Sequence, residues 1–129
     1  MAGEIELLTS SALPKPNGHY SHAAGYGGLV FASGQLGRAA GMSDAEAGGI
    51  EGQARRALLS FAQVLAAAGT GVSRLLKVNI YLADIGDWPA VNRIYEEALG
   101  PHRPARAVIA TGPLHFGSLI EVDGIAASP

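Results

Sequence analysis

Cysteine is absent from the 129-residue chain, which excludes a disulfide framework, a thiol nucleophile and a thiolate metal site. Charge is scarce as well: Asp, Glu, Lys and Arg make up 16% of the residues, and the net charge is −2. The nine Lys and Arg residues are scattered, so no basic stripe marks a nucleic-acid groove. Aromatics reach only 6%, too few for the stacking platforms of single-stranded RNA binders. No apolar run approaches the roughly 18 residues of a membrane span. The opening MAGEIELLTS carries acids and no basic n-region, so a cytoplasmic location is expected.

What is present points to one folded domain over residues 1–129. Hydrophobic residues make up 48% of the chain, enough for a real core. So little charge on a chain of this size also suggests surface buried between subunits. EIELL reads as a first strand, SSALPKPNGHYS as a breaker-rich loop, and GGLVFASGQL as a second strand ending in a turn. GRAAGMSDAEAGG shows no periodicity and reads as a flexible connection. Ile50, Ala54, Ala57, Leu58, Phe61, Val64, Leu65 and Ala68 then recur at helical spacing, with Gly69 and Gly71 as the stop. LLKVNIYLAD alternates as a strand. Asp87 can cap a second helix carrying Pro89 in its first turn, with Val91, Ile94, Tyr95, Ala98 and Leu99 as its apolar side. RAVIA and SLIEVDGIAA follow as strands. The expected order is β, β, α, β, α, β, β: an α+β domain with a mixed sheet and two helices on one face.

Several residues could carry chemistry. In HRPARAVIATGP, Arg106 stands at the mouth of a short apolar strand. It could grip a planar anion bidentately or serve a structural ion pair. Glu121 and Asp123, at i and i+2, share one strand face, with Ile120 and Val122 on the other. They could form an acid/base pair, bind a hard metal, pair with Arg106 and Arg103, or face water. His19 and His22 have an HxxH spacing but no third ligand cluster, so no metal site is expected. His102 and His115 stand alone. The glycines of GYGG and ASGQLG match no phosphate-binding spacing, and Ser21 and Ser33 lie in no nucleophile elbow.

GHYSHAAGYGGLVFASGQLG, VNIYLADIGDWPAVNRIYEEALG, HRPARAVIA and LIEVDGIAA stand in the order and spacing of one family. From about Ile5 to Ala127 the chain resembles the Rid family, the reactive intermediate deaminases or YjgF-like proteins. That resemblance implies a chorismate-mutase-like α+β fold. It implies a homotrimer whose sheets form a central barrel, with sites in the clefts between subunits. The implied reaction is hydrolysis of 2-imino or 2-enamino acids to 2-oxo acids and ammonia. No cofactor, nucleic-acid partner or membrane is implied.

Carried over by position, Arg106 resembles the carboxylate-binding arginine and Tyr20 the tyrosine lining the cleft from a neighbouring subunit. Ser33 and Gly34 match the pocket floor, and Asn92 the Asn beside the site. Asp123 falls on a glutamate thought to activate water, and Glu121 on a second acid of the same strand. The chain departs from the family at Val108, where many members have Cys. Asp123 is one methylene shorter than Glu. HYSH replaces PYSQ, and GPLHFG replaces RLPKG, losing basic residues and gaining Phe116, which implies an altered substrate preference. The alternative to an enzyme is a trimer that only holds a small carboxylate. A ribonuclease activity, also attached to this family, finds little support in the charge or the aromatics.

Overall fold

A computed structural model describes residues 3–129. A six-stranded mixed sheet runs in the order β1-β2-β3-β6-β4-β5. Its strands are β1 (Glu6–Leu8), β2 (Ala23–Tyr26), β3 (Leu29–Leu36), β4 (Leu75–Leu82), β5 (Ala105–Ala110) and β6 (Ile120–Ala127). Only β4 and β5 are parallel; every other pair is antiparallel. Helices α2 (Ile50–Ala67) and α3 (Trp88–Leu99) pack together and cover one face, as expected for the α+β class. The alternating apolar residues of the central strands point under them. Val78, Ile80, Leu82, Ile120 and Val122 are all fully buried there.

Glycine lets α2 approach the sheet. A Cβ on Gly124 would lie 2.6 Å from the Lys77 carbonyl oxygen and 2.8 Å from the Phe61 ring, so Phe61 rests directly on β6 backbone. Gln53, buried on α2, clamps the neighbouring loops. Its Oε1 accepts from Leu119 N at 2.9 Å, and its Nε2 donates to Gly48 O at 3.0 Å.

The structure corrects the expected order at three places. GGLVFASGQL is the second arm of a hairpin whose first arm is Ala23–Tyr26, joined through Gly27 and Gly28 at φ 59° and 82°. Two left-handed residues are what a tight hairpin turn requires, and glycine supplies them. The connection read as flexible contains a one-turn helix, α1 (Asp44–Ala47). Ser43 and Glu46 close a reciprocal capping box over it, with bonds of 3.1 Å in both directions. Asp87 does occupy the N-cap position of α3, but its side chain caps nothing. Asp84 caps only the 3-10 turn Ile85–Asp87 that precedes the helix, accepting from Gly86 N at 2.8 Å.

Candidate active site

The first cluster stands at the sheet's edge. Parallel pairing sets Arg106 beside Val78 and Val108 beside Ile80, so both side chains point to the helix-covered face. Trp88, Asn92 and Tyr95, at i, i+4 and i+7 of α3, meet Arg106 there. The guanidinium carbon lies 4.5 Å from the Trp88 ring centroid and 5.0 Å from that of Tyr95. Arg106 Nη1 donates to Asn92 Oδ1 at 3.1 Å. The Asn92 amide nitrogen donates in turn to Glu96 Oε1 at 3.2 Å, which fixes the amide's orientation. Among the described residues no carboxylate pairs with Arg106, so the ion-pair alternative is not what the fold makes of it. Its free edge faces a cleft of about 590 Å³ lined also by Tyr95, Arg103 and His102.

The second cluster lies on the opposite, uncovered face. Glu121 and Asp123 alternate there with the buried Ile120 and Val122, as the i, i+2 spacing requires. Asp123 is held at both oxygens: Oδ1 accepts from Asn79 Nδ2 and Oδ2 from the Tyr81 hydroxyl, both at 2.8 Å. Burial, the hydrogen bond to Asp123 and the charges of Asp123 and Glu121 push the Tyr81 hydroxyl up to about 12. Tyr81 is therefore a fixed donor at neutral pH. Glu121 accepts no hydrogen bond among the described residues. Burial and the neighbouring Asp123 charge push its carboxyl above the usual carboxylate range, opposed by His115.

Ser33 and Gly34 form the floor beside these acids. Ala32 pairs with Gly124 and Gln35 with Val122, so Ser33 and Gly34 together oppose the single Asp123 in a β-bulge. A Cβ on Gly34 would overlap the Glu121 carboxylate. Ser33 Oγ donates to Ser21 O at 2.6 Å. Tyr20, 48% exposed, shares a cleft of about 630 Å³ with Ser33 and His19. Its hydroxyl accepts from Asn17 N at 3.1 Å.

One chain thus gathers the expected residues into two groups and leaves them apart. Arg106, Asn92 and Val108 stand on one side of the sheet; Ser33, Gly34, Glu121 and Asp123 stand on the other, with Tyr20 in the cleft beside Ser33. The sequence reading missed Trp88, Tyr95, Asn79 and Tyr81. Their signals were the helical spacing onto Asn92 and the strand alternation opposite the acids. His22 has a different occupation. It is buried, with Nδ1 accepting from Ser10 N at 3.1 Å, which leaves Nε2 as the proton donor to Pro14 O at 2.8 Å. Both ring nitrogens are spent tying down the loop before β2. His102 Nε2 lies 2.8 Å from Leu75 O. Phe116, 41% exposed in the loop leading to Glu121, holds a left-handed φ of 60°, uncommon for a bulky residue.

Residues 10–128 match the family model described as Endoribonuclease L-PSP. A rat 2-iminobutanoate/2-iminopropanoate deaminase is 33% identical over 121 residues, covering 94% of this chain and 88% of the relative. This chain belongs to the Rid (YjgF-like) family. The Schizosaccharomyces pombe protein mmf2, mitochondrial by name, is 40% identical over 115 residues, covering 85% of this Rid chain and 88% of mmf2. Among solved structures, the YjgF gene product of E. coli superposes with a TM-score of 0.84 at 26% identity, covering 96% of this chain and 99% of that one. RidA from an Antarctic Psychrobacter does so with a TM-score of 0.83 at 26% identity, covering 95% and 98%. Among the described residues no helix is long and apolar enough to cross a membrane.

Proposed function

We propose that this Rid protein hydrolyses 2-imino and 2-enamino acids to 2-oxo acids and ammonia, at a site completed between subunits. The observation that carries the reading is Arg106: a guanidinium held by Asn92, Trp88 and Tyr95, in no ion pair among the described residues, beside a cleft that Glu96 also lines. Such a group is built to receive a carboxylate through two parallel N–H···O bonds. The bound carboxylate sets the imine carbon in place. Water adds to that carbon and gives its proton to a carboxylate. The proton passes to nitrogen, the C–N bond breaks as the new hydroxyl loses its proton, and ammonia leaves. A protonated imine is already electrophilic, so position and proton transfer supply the catalysis.

Geometry favours Glu121 over Asp123 as the proton carrier. Asp123 has both oxygens committed to Asn79 and Tyr81, whereas Glu121 is unbonded and its affinity for a proton is raised. The role that family position suggests for Asp123 becomes that of a fixed negative neighbour, which helps keep Glu121 proton-hungry.

The same geometry supports a ring-shaped assembly. Clusters on opposite faces of one sheet are joined more readily by a head-to-tail contact than across one two-fold patch. A head-to-tail contact that closes into a ring joins the Arg106 edge of one copy to the Glu121 face of the next. A homotrimer is the smallest such ring. The uncovered face suits burial, because Leu7, Phe31 and Ile109 are 71%, 42% and 41% exposed there. The test is ammonia release from 2-iminobutanoate or 2-aminoacrylate generated by a coupled dehydratase. A rate well above the uncatalysed one is expected, and Arg106→Ala is expected to lower it at least a hundredfold. A wild-type rate equal to the background removes the deaminase reading.

A further inference from the structure

We infer that Trp88 and Tyr95 are positioning residues that hold the Arg106 guanidinium ready for a substrate carboxylate, and that Trp88 reports its arrival. This rests on the carboxylate-binding role proposed above. An arginine on an exposed edge strand has many rotamers, and freezing them on binding weakens affinity. Here the cost is met in advance. The Trp88 and Tyr95 rings lie 4.5 and 5.0 Å from the guanidinium carbon, within the range of cation–π attraction. Neither ring takes a hydrogen bond from the guanidinium, and Asn92 takes one. Of the five N–H donors of an arginine, about four therefore stay free, twice what one carboxylate needs.

The rings are themselves held. Tyr95 is only 6% exposed, and Trp88 packs against the hydrophobic core. The Tyr95 hydroxyl has no hydrogen-bond partner among the described residues, so the ring, packed beneath the guanidinium, is its contact with Arg106. A carboxylate docking on Arg106 neutralises the cation beside Trp88. Because Trp88 is the single tryptophan of the chain, its emission isolates that event.

The experiment titrates the full-length protein with pyruvate, following tryptophan emission and binding heat, and measures deamination kinetics in parallel. In wild type, emission is expected to change saturably with pyruvate, at the midpoint given by calorimetry, and Arg106→Gln is expected to abolish both signals. Trp88→Leu is expected to raise the pyruvate Kd and the substrate KM about tenfold while kcat changes by less than threefold. Trp88→Phe, which restores an aromatic face, is expected to recover most of that loss; a mere packing role would not separate Phe from Leu in this way.

Saturable pyruvate binding with no change in emission overturns the inference even if no Trp88 variant folds. Equal Kd values for wild type and a folded Trp88→Leu protein overturn it too. Should the protein bind pyruvate through Trp88 and Arg106 yet release no ammonia, the deaminase reading fails and the positioning role stands. Should it turn over imino acid with affinity indifferent to Trp88, the reverse holds.

Discussion

Two acids two residues apart on one strand differ in their hydrogen bonding. Asp123 accepts from Asn79 and Tyr81, whereas Glu121 is half-buried without such partners among the described residues. A carboxyl whose affinity for protons is raised by folding favours the fold at low pH. That contribution is lost as pH rises through its elevated folded value. Glu121→Gln is therefore expected to melt at a higher temperature than wild type at neutral pH. The gap should close as pH falls below the ordinary glutamate value of 4.5. The same variant should lose deamination almost entirely. Asp123→Asn keeps one acceptor oxygen and replaces the other with an NH2, so it should cost about 0.5–1.5 kcal/mol of stability by weakening one of the two bonds. Thermal melts from pH 4 to 8 beside ammonia assays decide between the two assignments; a Glu121→Gln protein of full activity would return the proton-transfer role to Asp123.

Elements explain why part of this was readable in the sequence and part was not. The long helix, the alternation of β4 and β6 and the sharing of a face by Glu121 and Asp123 follow from local periodicity, which a sequence displays directly. Hydrogen-bond partners across strands do not. Asn79 and Tyr81 meet Asp123 because β4 pairs with β6 at a particular register, set by contacts more than 40 residues apart. The bulge in β3 is another case: Ser33 and Gly34 look like ordinary strand residues until the register with β6 slips between Ala32 and Gln35. The bulge sets Gly34 against Glu121, and its bare Cα leaves room for that carboxylate. Gly34→Ala should fold, since only the end of a flexible side chain must move, but it should displace that carboxylate. A loss of about tenfold to a hundredfold in kcat with KM little changed is expected. An unchanged kcat in steady-state assays would show that the carboxylate at the bulge takes no part.

At the scale of the molecule, the sheet is both core and partition. Its helix-covered face builds the hydrophobic interior and carries Arg106 at the edge, and its other face carries Glu121 among exposed apolar side chains. Arg106 lies on edge strand β5 and Glu121 on β6, with β4 between them, and the two side chains leave opposite faces of the sheet. The proposed site joins the two through a second copy, and complementation measures this directly. Arg106→Ala and Glu121→Gln proteins, each inactive alone, are mixed by co-expression in equal amounts. Each shared site draws its Arg106 cluster from one chain and its Glu121 cluster from the next. With random assortment, about one site in four combines an intact Arg106 with an intact Glu121, whatever the ring size. Roughly a quarter of wild-type activity should return in the mixed assembly, and none when the two purified variants are combined without subunit exchange. Activity that stays at background in a verified mixed assembly would mean that each site is completed within one chain, and the head-to-tail ring would have to be abandoned.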